Sequence, residues 1–165
     1  MGRKSTKENK SVYQVARENV GLTREGAEEL CPALTCERIN KLESGRAQVQ
    51  PADILLMANC YRCPSLKNYY CANECPLGQD RVPEIHSKNL GQIAIETINA
   101  LSKLYQERDR LLEIVEDGTV RSDEREDFFV IKELLDKLSV SVRTLNLWIE
   151  ESMAQGGLPS DFLQE

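Results

Sequence analysis

Apolar residues recur at helical spacing along most of the chain, and this pattern predicts an all-α protein. Residues 11–19 form the first expected helix, with Tyr13 at the rim of its apolar face. Gly21 is expected to end this helix, because glycine readily adopts the left-handed conformation that follows many helices. The residues expected to face inward are Val12, Val15 and Ala16.

Residues 22–45 predict two short helices joined by a tight turn. Thr23 is the expected N-cap of the first helix, because its hydroxyl can accept a hydrogen bond from an otherwise unpaired backbone N–H of the first turn. Pro32 ends that helix, since proline lacks the N–H group that a helix needs. The inward face of this helix is expected to consist of Ala27, Leu30 and Cys31.

Thr35 is the expected N-cap of the second short helix, and Gly45 is placed to end it. Its apolar positions are Leu34, Ile39 and Leu42. Its outward positions are Cys36, Glu37, Arg38, Asn40 and Lys41. A short helix with a polar outer face, held across a neighbouring helix by a tight turn, is the element that enters the DNA major groove in helix-turn-helix proteins.

A fourth helix is predicted after a loop that contains Arg46. Pro51 suits its first position, where the missing N–H would be unpaired in any case. The residues that make this helix mostly buried are Ile54, Leu55, Met57, Ala58 and Tyr61. Four or five helices of this size can enclose a small core without further crosslinks.

Two longer helices, of about 25 and 32 residues, are predicted from Leu90 onward. Asp117-Gly118 ends the first, and Ser122 is expected to cap the second. The apolar positions of the first are Ala94, Ile98, Leu101, Leu104, Tyr105, Leu111, Leu112 and Val115. Those of the second are Phe128, Ile131, Leu135, Leu138, Val142, Leu145 and Ile149, widened by Leu134 and Trp148. The short connection predicts a long antiparallel two-helix hairpin.

The apolar face of this hairpin is wider than two helices can cover, so it must rest on another surface. A twofold partner would complete a four-helix bundle between two chains, which predicts a homodimer. Packing back on the N-terminal domain within a monomer is the alternative.

Residues 10–63 resemble the DNA-binding domain of lambda-repressor-like (Cro/cI-type) regulators. The likeness rests on the two-helix pattern and on the run Leu42-Glu43-Ser44-Gly45, where the family commonly has Ile-Glu-x-Gly. The turn here is one or two residues longer than usual, and the acidic Glu37 lies on the outer face. Residues 69–78, Tyr-Tyr-Cys-x-x-x-Cys-Pro-Leu-Gly, further resemble a segment of a group of bacterial regulators in which this domain precedes a long helical tail.

The resemblance implies an N-terminal four- or five-helix domain of a transcriptional regulator that binds double-stranded DNA. In its recognition helix, Arg38 is predicted to address guanine, Asn40 adenine and Glu37 cytosine. Contacts to phosphates are expected from Thr23, Arg24 and Arg46. The full set of predicted DNA-binding residues is Thr23, Arg24, Thr35, Cys36, Glu37, Arg38, Asn40, Lys41 and Arg46.

The predicted organisation has five parts. They are a basic arm (1–10), the helix-turn-helix domain (11–63), a cysteine-containing segment with a linker (64–89), the helical hairpin (90–155) and a tail (156–165). Long apolar runs are missing from the sequence, which leads us to expect a cytoplasmic protein without a membrane span.

The charge distribution weakens the DNA hypothesis without removing it. The net charge is −6; residues 1–76 carry 11 Lys and Arg against 9 Asp and Glu, and the remainder carries 10 against 18. DNA binding usually depends on phosphate neutralisation. Here the positive charge that neutralises phosphates would come from the basic arm, through Arg3, Lys4, Lys7 and Lys10. An adaptor that keeps the fold as a docking surface for another protein is therefore the rival hypothesis.

Four cysteines lie within sixteen residues, with the spacing C-x2-C-x7-C-x3-C. Such thiols can bind zinc or an iron–sulfur cluster, and such a site would make the protein a redox- or metal-responsive regulator. Unligated structural thiols without a cofactor are the alternative, and a surface position is expected for His86. The candidate ligands are Cys60, Cys63, Cys71 and Cys75. The sequence offers no nucleophile, base and orienting carboxylate around His86, so we do not expect an enzyme.

Overall fold

The computed structural model describes residues 9–159, where all regular secondary structure is helical. The helices in that range are α1 (Val12–Asn19), α2 (Arg24–Leu30), α3 (Cys36–Glu43), α4 (Pro51–Cys60), α5 (Ser65–Asn73), α6 (Leu90–Gln106), α7 (Arg108–Val115) and α8 (Arg125–Ala154). The all-α prediction is confirmed for these residues. Most of the predicted basic arm, including Arg3, Lys4 and Lys7, and the end of the tail lie outside them.

The chain divides into two compact units. The first contains the residues up to Glu84 together with those from Ile149 onward, and therefore holds α1 to α5 and the last turns of α8. The second unit is Ile85–Trp148, which contains α6, α7 and most of α8.

The ends of the short helices follow local rules. The Thr23 hydroxyl caps α2 and the Thr35 hydroxyl caps α3, as predicted. Pro51 is the first residue of α4, and Gly45 follows α3 with a left-handed φ of 69°. These four predictions are confirmed because each depends on groups only a few residues apart in the chain.

The core of the first unit draws on all five short helices. The predicted core residues Leu34, Ile39 and Leu42 are buried. The complete buried cluster is Tyr13, Ala16, Ala27, Leu34, Ile39, Leu42, Val49, Ile54, Met57, Ala58, Tyr61, Leu66 and Tyr70. Because Leu66 and Tyr70 belong to α5, the cysteine-containing segment shares this core.

Three predicted inward positions are wrong. Val15 is exposed, and Tyr13, expected at the rim, is buried instead with its ring edge-on to Tyr69. Leu30 is 62% exposed and Leu55 is 56% exposed. A helix of two turns has few positions to define its apolar face, so the neighbours that cover it decide which side is buried.

The long helices of the second unit differ from the prediction in two places. A turn at Glu107 separates α6 from α7, where a single helix was expected. Ser122 does not cap α8, which begins three residues later. Just before α8, the buried carboxylate of Glu124 accepts a hydrogen bond from the Arg121 backbone N–H at 2.9 Å and so closes the preceding turn.

Burial in the second unit falls on only part of the predicted apolar stripe. Ile131 and Leu134 are buried as expected, but in α6 and α7 the buried residues are Ile93, Ala100 and Ile114, which were not predicted, while the predicted Leu104 and Leu111 are half-buried. The predicted residues that are exposed are Ala94, Ile98, Leu101, Tyr105, Leu112, Val115, Leu135 and Val142. Arg110 of α7 forms an ion pair with Asp127 of α8 at 2.7 Å.

Candidate nucleic-acid interface

The turn between α2 and α3 fixes the candidate interface. The Thr23 hydroxyl accepts from the Gly26 backbone N–H at 3.0 Å, and the Thr35 hydroxyl accepts from the Arg38 backbone N–H at 3.2 Å. Between the helices, the Leu34 N–H donates to a backbone carbonyl at 2.9 Å and carries the Leu34 side chain into the core. The start of α3 is therefore held in a defined position beside α2.

A buried ion network joins the first three helices. Both Glu43 carboxylate oxygens accept from the Arg17 guanidinium, at 2.6 and 3.0 Å, and one also accepts from Arg24 at 2.8 Å. The Arg17 and Glu43 side chains are only 6% and 1% exposed. Arg17 also donates to the Leu22 carbonyl at 2.6 Å. The network thus fixes the C-terminal end of α3 against α1 and α2.

A second ion pair fixes α3 against α4. The Arg38 guanidinium donates to both carboxylate oxygens of Asp53, at 3.1 and 2.5 Å, and to the Gln48 carbonyl at 3.2 Å. Asp53 in turn accepts from the Gln50 backbone N–H at 2.9 Å as part of the capping box of α4. Arg38 therefore positions the loop after α3 in this structure.

Replacing Asp53 with Asn should make stability less sensitive to acid. Burial raises the pKa of Asp53, but hydrogen bonds from Arg38 and Gln50 outweigh it, and the pKa lies below its ordinary value. The ionised carboxylate therefore adds stability that is present above about pH 4 and is lost as the pH falls through the folded-state pKa. Urea unfolding at neutral pH and near pH 3 should show a smaller loss in the variant than in the wild type.

Glu37→Gln provides the matched control for this titration. Its hydrogen bond from Lys41 also lowers the pKa of Glu37, but that carboxylate is 78% exposed, so solvent screens the interaction. If Asp53→Asn lost as much stability between neutral pH and pH 3 as the wild type does, the ion pair with Arg38 would not stabilise the fold.

The outer face of α3 carries the most exposed candidate residues. Glu37 and Lys41 form an ion pair at 2.7 Å between successive turns. The Cys36 thiol is 3.5 Å from a Glu25 carboxylate oxygen, and its pKa is raised by burial and by that carboxylate. Asn40 is half-buried on the same face. The face thus offers an ammonium, a carboxylate, an amide and a protonated thiol.

The electrostatics of this surface are mixed. Arg24 pairs with Glu43, whereas Arg46 is exposed and donates to the Ser44 hydroxyl at 2.8 Å. Lys10, the basic residue of the arm that lies within the described range, forms an ion pair with Glu18 at 2.7 Å. On the neighbouring α2, the acidic residues are Glu25, Glu28 and Glu29.

The structure brings Cys36, Glu37, Asn40 and Lys41 together on α3, and it uses Thr23 and Thr35 as caps. Sequence reasoning missed the partners Arg17, Glu43 and Asp53. Asp53 completes a capping box with Gln50, but Gln50-x-x-Asp53 departs from the usual Ser/Thr-x-x-Glu/Gln pattern and was therefore a weak signal in the sequence. Nothing local marks Glu43 as buried, because its partner Arg17 is 26 residues away.

The candidate metal ligands lie around the core of the first unit. The Cys60 thiol is 3.7 Å from the Ala27 carbonyl, and burial together with nearby Cys31 raises its pKa. Cys63 lies 3.3 Å from the Ser65 hydroxyl. Cys71 lies in α5, whereas Cys75 lies beyond the end of that helix. Within residues 9–159, no three His, Cys, Asp or Glu side chains are arranged to hold a metal ion.

His86 is exposed in the segment between α5 and α6, as expected. Comparison with protein-family models, curated proteins and solved structures found no match. In residues 9–159, no helix combines the length and apolar character required to cross a membrane.

Proposed function

We propose that the protein is a sequence-specific DNA-binding transcriptional regulator of the lambda-repressor-like class, with α3 as the helix that enters the major groove. The observation that carries the proposal is the division of α3 into two faces. Ile39 and Leu42 are buried, while Glu37 and Lys41 on the opposite side face solvent. Capping by Thr35 and the network around Glu43 hold this short helix rigidly enough to present its outer side chains to a duplex.

The roles of the individual side chains follow from their hydrogen-bonding chemistry and their position on the outer face of α3. Asn40 is assigned to adenine, Lys41 to guanine and Glu37 to cytosine. The ion pair between Glu37 and Lys41 is exposed and screened by solvent, so it opens readily when a duplex approaches. Cys36 contributes contact area beside them.

Backbone contacts are assigned to the residues at the ends of the two helices. Thr23, Arg24 and Arg46 address phosphates, and Arg24 retains a third of its side-chain exposure while bound to Glu43. Arg38 donates to both carboxylate oxygens of Asp53 and to the Gln48 carbonyl, so we assign it the positioning of α3 against α4.

Asn40→Ala should weaken binding to the preferred duplex by about 1–3 kcal/mol, with relaxed discrimination at one base pair. The reason is that a bidentate amide contact is lost at that position only. The measurement is selection from a random DNA pool with the full chain, followed by titration of the selected duplex and its single-base variants. Asn59→Ala, on the exposed side of α4, is the matched control and should bind as the wild type does.

Salt dependence provides the decisive comparison. A DNA-binding protein should lose affinity for random duplex steeply between low and moderate salt, because bound phosphates release counterions. If Asn40→Ala lost the same affinity for every DNA sequence, Asn40 would contact only the DNA backbone and not a base. No enrichment from the pool would leave α3 without a DNA role.

The regulator is further proposed to be a homodimer whose α6, α7 and α8 form an antiparallel hairpin. Arg110 pairs with Asp127, while earlier residues of α6, including Ala100, line one groove with later residues of α8, including Ser141. From the groove to the ion pair, residue numbers rise from Ala100 to Arg110 in α6 and α7 and fall from Ser141 to Asp127 in α8, which supports antiparallel packing. A dimer would read half-sites about one helical turn apart or a multiple of it.

A protein-interaction adaptor is the second candidate. The acidic surface beside α3 supports this candidate. Glu25 of α2 lies 3.5 Å from the Cys36 thiol, and α2 also carries Glu28 and Glu29. These carboxylates would repel phosphates and suit a basic partner. Binding to random duplex that does not respond to salt, or no binding at all, would favour the adaptor.

A further inference from the structure

The outer side of α6 and α7 carries an uncovered apolar stripe. The members of this outer seam are Ile98, Leu101, Tyr105, Leu112 and Val115, each between 48% and 71% exposed. Their spacings are three, four, seven and three residues, which is the repeat of a helix that packs along another helix. The spacing continues across the turn at Glu107.

The same two helices already use a different stripe inside the second unit. This inner seam consists of Ile93, Ala100, Leu104, Leu111 and Ile114, all buried or half-buried. Four of the outer residues directly follow an inner one in sequence, so the two seams lie about 100° apart around the helix. The second unit therefore occupies one seam and leaves the other for a different partner.

α8 repeats this arrangement. Leu134 and Ser141 are buried, and the residues that follow them, Leu135 and Val142, are 45% and 48% exposed. In an antiparallel pair, the next residue after an inner position lies on the same side of both helices, because the two helices turn in opposite senses when viewed from one end. Leu135 and Val142 thus extend the outer seam into one continuous apolar face.

The opposite side of the helix pair carries a groove with both charged and apolar lining residues, the apolar ones being Ala100, Leu134 and Val140. The groove has a volume of about 540 Å³, with charged walls that include Glu96, Lys103, Glu133, Asp136 and Lys137. Charged side chains surround this groove and the outer seam lacks them, although Ile95, Phe129 and Val130 are also exposed elsewhere on the second unit. Apolar surface of this extent and regularity on a soluble layer marks a protein interface.

We propose that this outer seam, with Leu135 and Val142, binds the same face of a second copy of the chain about a twofold axis. This deepens the dimer proposed above and rests on the antiparallel packing proposed there. Seven side chains of roughly 150–200 Å² each, about half exposed, leave on the order of 500–700 Å² per chain, so two copies bury at most about 1,000–1,400 Å², around the lower edge of a stable specific interface. Heptad spacing favours a second set of helices as the occupant, and a second copy supplies one.

The test is the mass of the full chain in solution, measured without DNA by sedimentation velocity and light scattering. The wild type should sediment with twice the 18.7 kDa chain mass at micromolar concentration. Leu101→Glu combined with Leu112→Glu should give the single-chain mass with the circular dichroism of a helical protein. Leu55→Glu, at a similarly exposed apolar residue of α4, is the matched control and should remain dimeric.

Tyr105→Asp keeps the proposal testable if the double variant does not fold. This side chain is 71% exposed, so its replacement leaves the chain fold intact and should raise the dimer dissociation constant about tenfold or more. A wild type with the single-chain mass would overturn the proposal, as would an unchanged dissociation constant for Tyr105→Asp. Asn40→Ala should leave the mass unchanged, so that failure of the dimer and failure of DNA binding are separate results.

Discussion

Replacing Glu43 with Ala is expected to lower the free energy of unfolding by about 3–5 kcal/mol. The carboxylate is 1% exposed and holds the guanidinium of Arg17, which is also buried. Its removal leaves an uncompensated positive charge inside the first unit. Urea unfolding at neutral pH, followed by circular dichroism, measures this loss.

The matched control is Glu37→Ala, which removes a carboxylate from an exposed position on the same helix and should leave the free energy of unfolding nearly unchanged, because solvent screens its ion pair. Replacing both Arg17 and Glu43, as Arg17→Met with Glu43→Leu, should recover most of the stability, because no buried charge remains. Equal stabilities for Glu43→Ala and Glu37→Ala would show that the network does not hold the three helices together.

Gly78→Ala is expected to destabilise the first unit by about 3 kcal/mol or more, at or beyond the upper end of over-packing costs. A β-carbon at this buried position would overlap the Cys71 carbonyl oxygen and lie 2.9 Å from its carbonyl carbon. Because both atoms belong to the backbone of α5, no side chain can rotate away. Thermal and urea unfolding of the variant measure the effect.

Gly91→Ala is the control for this substitution. Gly91 lies in the first turn of α6, where an added β-carbon meets the Asn89 side chain at an ordinary 3.4 Å. Alanine there should be neutral or stabilising by about 0.5–1 kcal/mol, since glycine is the poorer helix former. If Gly78→Ala were as stable as Gly91→Ala, the close approach to Cys71 would carry no cost.

The close approach to Cys71 gives a physical reason for the glycine at the end of the segment Tyr69 to Gly78. Gly78 donates to the Cys75 carbonyl at 2.9 Å, and this turn folds the chain back over the end of α5. The sequence pattern drew attention to the cysteines of this segment. The structure shows that Gly78 is the position in this segment where a side chain would collide with the backbone of α5.

The candidate interface was partly predictable. The caps Thr23 and Thr35 and the outward position of Glu37 and Lys41 were predicted correctly, because these features depend on residues within one or two turns. The ion pair between Arg38 and Asp53 was not predicted, because Asp53 is 15 residues further along the chain and its position depends on where α4 lies. A charged residue on an amphipathic helix is read as solvent-exposed until a partner from another element appears.

The long helices show the same limit. The heptad spacing of their apolar residues was visible in the sequence, but it contained two seams one residue apart. Periodicity alone does not say which seam a helix uses within its own unit. The packing of Ile93, Ala100 and Ile114 made that choice and left Ile98, Leu101 and their neighbours exposed.

The sequence by itself determined the helical character of this protein and the caps and glycines that end its short helices, since these depend on hydrogen bonds between near neighbours in the chain. Only the tertiary structure decided that Arg17 and Glu43 are buried together, that Gly78 touches α5 and that one of two apolar seams remains outside. Those outcomes depend on burial and electrostatic pairing between segments that the chain brings together only when it folds.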